Sequence, residues 1–314
     1  MDRNSPLAEG LAAAGLSAFL FWGLRFLPFL GAGIVPAAAL PLVRFGTRRG
    51  GRMALAASAG AAVIAAVIGF SFVRSPAQAV GEAVALAATA GACAVAAGLA
   101  RSRRPSRVFL GLCIYGAVAG AVLWASTPGI DREAATRFDR MVEQWMTSAK
   151  QSGADAATLR NWQTSAELVR DTVVRYAEGL IGVLWVLVAA VAFYLGRRLA
   201  VRAPEDGGFA RLRLPPLLAG LFVVSGAAGA LFRGYPRRLA LDVLAPVLAL
   251  YFVAGLSIIA YFARRWFRTG VLRGATYVMA SWFPFSAGTA VLGLFDWYFD
   301  FRERAEKRAI GRKE

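Results

Sequence analysis

Uninterrupted apolar stretches constrain this chain more than any other feature. Residues 53–73, 77–100, 108–127, 173–196, 216–232 and 239–263 are each about as long as a helix that crosses a hydrocarbon core roughly 30 Å thick. Two further blocks, 7–43 and 271–298, are longer and interrupted by proline. A backbone inside hydrocarbon must satisfy its own hydrogen bonds, so these segments are expected to be helices. The expected fold is all-α: a polytopic transmembrane helical bundle of about eight spans, one transmembrane domain over 1–314, with broken first and last elements.

The chain is 58% hydrophobic and only 18% charged, yet it carries a net charge of +17. Such a charge suits nucleic acid when it is gathered on one soluble domain. Here it falls in the gaps between apolar blocks, as in the cytoplasmic loops of membrane proteins, and no nucleic-acid partner is expected. Histidine is absent, which excludes His-type zinc sites and Ser-His or Cys-His nucleophile pairs. Cys93 and Cys113 both lie inside apolar blocks, where a thiol behaves as a small hydrophobe. The first block is too long for a cleavable signal peptide, and many spans follow it. Walker A, His-Glu-x-x-His and Gly-x-Ser-x-Gly motifs are missing. An enzyme would have to work with Asp, Glu, Arg and Tyr alone, so neither catalysis nor a metal or other cofactor is expected.

Arginine sets the expected orientation. Basic clusters at 44–52, 101–107, 197–213 and 264–273 alternate with the gap at Arg74, the loop 128–172 and the gap at 233–238. The alternation places the four clusters in the cytoplasm of a bacterial inner membrane, with Arg233, Arg237 and Arg238 as an outer-side exception. The basic tail, 299–314, is also expected to be cytoplasmic, yet a single span over 271–296 would put it outside. A helix broken near Phe283-Pro284 that re-enters and returns resolves the conflict; a kinked span with an exceptional tail is the alternative. Pro28, Pro36 and Pro41 divide the first block in the same way. Broken helices persist in membranes where protein or a cavity covers them, and transporters build binding sites from them.

Residues 128–172 interrupt the apolar rule and read as an extracytoplasmic amphipathic helical insertion. Thr127-Pro128-Gly129 ends a span. Phe138, Met141, Val142, Trp145, Met146 and Ala149 then recur at three- and four-residue spacing. Ser152-Gly153-Ala154-Asp155 breaks the helix, and Leu159, Trp162 and Ala166 begin a second stripe. The insertion is suited to be a lid over an outward cavity, a dock for an external partner, or a helical pair lying on the membrane surface.

Ionisable groups near apolar spans are candidate binding residues. Counting back from the basic clusters puts Glu82, Glu178 and Asp242 about 28–33 Å up their helices, at one level near the outer boundary. Three acids at one level form a ring suited to a cationic or amine-bearing solute. The competing reading is structural, since each lies in the first turns of its helix, where the dipole favours a carboxylate. Arg175, Arg233 and Arg238 are also close enough in sequence to neutralise them. Arg25 interrupts the run Phe19–Leu30 and is a further candidate, either snorkelling to an interface or pairing with an acid on another helix. Gly81 with Ala85, and Ala94 with Gly98, have the four-residue spacing that lets helices approach closely.

Several segments resemble the YybS-like family of polytopic bacterial membrane proteins. The resemblance runs through Leu212-Arg213-Leu214-Pro215, Gly255-Leu256-Ser257, Arg265-Trp266 and Phe283-Pro284, and it closes with Leu292-Gly293-Leu294-Phe295-Asp296 and Phe299-Asp300-Phe301-Arg302. It implies a distant similarity to the substrate-capture subunits of energy-coupling-factor transporters, which bind a solute and rely on separate coupling and ATPase subunits. The closing segment also has its own physical reading. Asp296 and Asp300, Tyr298 and Arg302, and Asp300 and Arg304 are each four apart, so one continuous helix would stack them on adjacent turns. Trp297, Tyr298, Phe299 and Phe301 would then form an aromatic belt at the interface, with the basic tail against anionic lipid. Asp296, Phe299, Asp300 and Arg302 are candidates either for such an anchor or for a coupling surface facing a cytoplasmic partner. The expected function is a solute- or lipid-binding, transporter-like component without its own energy source. The alternative is a non-transporting scaffold or regulatory subunit. Expected partners are membrane lipids and other membrane subunits: a coupling subunit with its ATPase, or a signalling protein.

Overall fold

Residues 5–23, 34–73, 75–101, 103–126, 130–200, 208–282 and 285–310 are described by the structure, a computed structural model. Among them there are helices and no strands. In chain order the helices are α1 (Pro6–Gly23), α2 (Ile34–Arg49), α3 (Gly51–Phe72), α4 (Pro76–Leu99), α5 (Pro105–Ser126), α6 (Ile130–Gln151) and α7 (Ala156–Arg175). Then follow α8 (Ala177–Ala190), a wide π turn (Val191–Leu195), α9 (Gly196–Ala200), a single 3-10 turn (Gly208–Arg211) and α10 (Leu217–Leu231). The remainder is α11 (Tyr235–Trp266), α12 (Gly270–Ser281), α13 (Phe285–Phe299) and α14 (Phe301–Ile310).

Six helices are long and apolar enough to cross a membrane: α1, α3, α4, Pro105–Val122 of α5, Glu178–Ala200 and α11. Helices α12 and α13 pass that test together as a pair bent by 95°, and the apolar α10 is shorter, at 15 residues. The last element is therefore broken, as its proline implied. The break falls after Ser281, where Trp282 is extended and donates its N–H to Met279; Phe283-Pro284 itself lies outside the described residues, as do Thr127-Pro128-Gly129, Arg25 and Pro28. Pro36 and Pro41 do not divide the first block; both sit within α2. Pro36 is in the first turn, where its missing N–H has no partner to lose, and Pro41 removes one intrahelical bond without ending the helix.

The chain forms two compact units, the first comprising Met1–Ile114, Trp185–Pro215 and Leu250–Glu314, the second Tyr115–Leu184 and Pro216–Ala249. In the first unit, α1–α4 make a packet of small side chains. Gly46 lies against the carbonyl of Ala94, and Gly98 against the Gly50–Gly51 backbone, so neither site has room for a Cβ. Polar side chains bridge the same helices: Ser17 Oγ donates to the Ala38 carbonyl (2.6 Å) and Trp22 Nε1 to the Ala65 carbonyl (2.8 Å). The π turn and α9 pack on α2, with Gly196 against Val43. Phe109, at the start of α5, meets Phe193 and Tyr194 of the π turn at 6.0 and 5.2 Å between centroids. Helices α11 and α13 cross in backbone contact, since a Cβ at Gly255 would meet the Thr289 carbonyl and one at Gly293 the Tyr251 carbonyl.

In the second unit, α6 and α7 form an antiparallel hairpin. Trp145 stacks on Trp162 with centroids 4.7 Å apart, and Arg170 grips Asp139 with two hydrogen bonds of 2.6 and 3.1 Å. The turn between them uses Gly153 at φ 82°, and Asp155 Oδ1 accepts the Thr158 N–H (2.7 Å) to open α7. The two apolar stripes of the insertion are therefore used partly against each other.

Two outcomes follow from this packing. Gly293→Ala has to push α11 and α13 apart and is expected to cost about 1–3 kcal/mol, read as a lower melting temperature in detergent. Gly288→Ala, five residues earlier in the same helix with nothing within 4 Å, is expected to leave the melting temperature unchanged or raise it. The Arg170 guanidinium holds the Asp139 carboxyl below its ordinary value of 3.8. Stability from this pair is complete above 3.8 and is lost as pH falls further, through the lowered folded-state value. Acid titration of the paired-indole circular dichroism of Trp145 and Trp162 should show that opening, and Asp139→Asn should abolish its pH dependence.

Candidate functional site

The closing segment of the chain converges with two distant ones. Helix α13 ends at Phe299 because Asp300 adopts φ 46°, a left-handed conformation that aspartate tolerates better than most residues, and α14 restarts at Phe301. The continuous helix expected across 296–304 is thus interrupted, and the pairings change with it. Arg302 turns back to Asp296 (2.6 Å) rather than stacking on Tyr298. Asp300 pairs with Arg213 (2.7 Å) rather than with Arg304, and Arg304 lies over the Phe299 ring, 5.6 Å from its centroid.

Arg302 is 4% exposed and Asp296 8%, so the pair must satisfy itself with protein groups. The guanidinium donates to the carbonyls of Ala210 (2.7 Å) and Leu212 (2.8 Å) as well as to Asp296 Oδ2. Ser257 Oγ, on α11, reaches the same Leu212 carbonyl at 3.3 Å. The 3-10 turn at Gly208–Arg211 is what presents these carbonyls: the short connection before α10 leaves them facing inward, without a ladder of their own. One oxygen of Asp296 and Nε of Arg302 have no hydrogen-bond partner among the described residues. Around this buried core the groups are more exposed. Partial desolvation pushes the Asp300 carboxyl above its ordinary range, reinforced by Glu303 and opposed by Arg213. Trp297 and Tyr298 point outward, at 60% and 71% exposure. Every motif segment fully within the described residues except Arg265-Trp266 supplies a group to this clasp or to the glycine crossing beneath it.

The second candidate group lies in the other unit. Asp242, on α11, is almost fully buried, and its Oδ1 accepts the Gly179 N–H in the first turn of α8 (3.2 Å). A carboxylate from a neighbouring helix thereby satisfies a loose N–H at the positive end of α8. The approach is possible because Gly179 has no side chain to meet Asp242, and Gly182 likewise faces Pro246. Pro246 has no N–H, so the Asp242 carbonyl four residues earlier loses its helical partner. Arg238 stands 3.7 Å from Glu178 and 3.9 Å from Asp242, ion-pair distances longer than a hydrogen bond. Glu178, Asp242 and Arg238 thus form one cluster. Glu82 belongs to the first unit, where its carboxylate accepts from Gln78 Nε2 on the same helix (3.1 Å). Among the described residues no three of Cys, Asp and Glu gather closely enough to hold a metal ion.

Apolar helices of spanning length, a terminal helix pair bent by 95° and a buried ion pair sealed by backbone carbonyls define a multi-pass α-helical membrane protein. The model of the predicted membrane protein family DUF2232 matches residues 15–297, and the chain belongs to that family. The matched range includes Asp296 and ends before Phe299, Asp300 and Arg302. No curated protein and no solved structure matches the chain.

The clasp gives a measurable asymmetry. Removing one partner of a buried ion pair costs about 3–5 kcal/mol, so Arg302→Ala should destabilise strongly and open residues 208–215 to protease. Arg213→Ala removes only a half-exposed pair and should cost at most about 1 kcal/mol. Thermal unfolding in detergent, with cleavage-site mapping, separates the two.

Proposed function

We propose that the protein is a non-enzymatic, membrane-embedded binding component of the transporter type, without its own energy source. Its ligand is a solute or lipid bearing a positive charge, taken up at Glu178 and Asp242. The observation that carries this reading is the placement of Arg238, which faces both carboxylates at 3.7 and 3.9 Å. A ligand ammonium would compete with Arg238 for the two acids. Asp242 precedes Pro246 by one turn, so its own carbonyl lacks a helical partner, and unpartnered backbone of this kind is what transporters offer to substrates. The resemblance to YybS-like proteins and to capture subunits of energy-coupling-factor transporters supports the same reading, with a coupling subunit and an ATPase as partners. The alternation of arginine clusters supports a bacterial inner-membrane location with the basic loops and tail in the cytoplasm.

A second reading, a scaffold or regulatory subunit, draws on the clasp. Buried Asp296 and Arg302 fix the corner at Asp300 and hold Trp297 and Tyr298 outward, a rigid aromatic surface for another membrane protein. Mass spectrometry of the gently solubilised protein distinguishes the readings. A carrier should retain a recurring cationic or amine-bearing molecule that Glu178→Gln and Asp242→Asn release. The asparagine still accepts the Gly179 N–H, so the helix end stays satisfied. A single co-purifying membrane or signalling protein, insensitive to those changes and lost with Trp297→Ala and Tyr298→Ala, would overturn the carrier reading in favour of the scaffold.

A further inference from the structure

We propose that one end of the first unit is a collar for anionic phospholipid, assembled from three basic segments far apart in sequence. The inference is independent of the Glu178–Asp242 reading. The Arg101 guanidinium donates to the Arg48 carbonyl, and Gly98 lies on the Gly50–Gly51 backbone, so the end of α4 is pinned to the α2–α3 turn. Gly196 packs on Val43, so this contact is followed in the chain by Arg197 and Arg198 on one side and by Arg44 on the other. Phe109 against Phe193 and Tyr194 draws in the start of α5, with Arg104 and Arg107.

The charge gathered there is largely uncompensated. Glu9 takes Arg49 (2.7 Å) and Arg48 (3.5 Å). Arg44, Arg52, Arg103, Arg104 and Arg107 are exposed and pair with no carboxylate among the described residues. Such a face fits a polyanion, and the neighbouring side chains decide which kind. Leu55 (64% exposed), Leu99 (46%) and Leu199 (55%) stand within about one turn of exposed arginines on three different helices. Guanidinium and exposed leucine side by side match a molecule with phosphate at one end and hydrocarbon at the other. An acidic protein or a nucleic acid would leave the leucines uncovered.

The test places purified full-length protein in nanodiscs of equimolar phosphatidylglycerol and phosphatidylcholine and counts the lipids retained on release into the mass spectrometer. Wild type should retain phosphatidylglycerol preferentially. The triple variant Arg44→Gln, Arg52→Gln, Arg104→Gln should lose that preference by on the order of tenfold to a hundredfold. The corresponding triple lysine variant should keep it, which separates charge from fold. No preference in wild type, a preference that survives the glutamine changes, or one lost equally with lysine would each overturn the proposal. Arginine-dependent binding of poly-glutamate without any lipid preference would overturn it too, by assigning the face to an acidic protein.

Discussion

A guanidinium with almost no access to water has to be satisfied by what surrounds it, and the two amino groups of Arg302 meet that demand with two backbone carbonyls and one carboxylate. The requirement propagates through the first unit. Asp300 must adopt φ 46° to turn Arg302 back. The connection before α10 must present the carbonyls of Ala210 and Leu212 inward, and α13 must lie close enough to α11 for Asp296 to reach the same point. That last condition is met by Gly255 and Gly293, whose bare backbones let the two helices touch. The clasp and the glycine crossing are one device: the crossing sets the distance and the ion pair seals its end.

The second unit solves a related problem with the same materials. Asp242 is buried against the start of α8, and Gly179 clears the space it needs. Both sites satisfy backbone groups that have no helical partner of their own. In one they are the carbonyls of the connection before α10, in the other a loose N–H in the first turn of α8. Burial makes each carboxylate costly to leave unpartnered, which fixes where the neighbouring helix can sit.

The spans were legible in the sequence because hydrocarbon demands both length and apolarity, and few other environments impose both. The α6–α7 hairpin was legible for a similar reason: Trp145 and Trp162 stand on stripes at helical spacing, and Ser152–Asp155 carries the turn chemistry between them. What lay hidden was contact through backbone. Arg302 reaches carbonyls some ninety residues away, and a carbonyl leaves no mark on a sequence. The corner at Asp300 was equally silent, since no glycine or proline announces it and the i, i+4 arithmetic argues for continuity. Small-residue spacing was only half informative. Gly98 is pressed onto another backbone, whereas Gly81 has nothing within 4 Å, because spacing tells which side chains are small and not which face is covered. The corresponding signal for the clasp was the concentration of motif residues at 212–215, 255–257 and 292–302, which are separate in sequence and meet in space.

The wide turn at Val191–Leu195 gives the helix that follows it a different phase. A π turn holds one residue more than an α turn, so side chains beyond it are rotated by about 100° relative to an unbroken helix. In this chain Phe193, Tyr194 and Gly196, within and just after the turn, meet α5 and α2. Removing the extra residue would carry Gly196 off Val43 and the aromatic pair off Phe109, so the wide turn fixes a register that no sequence motif announces.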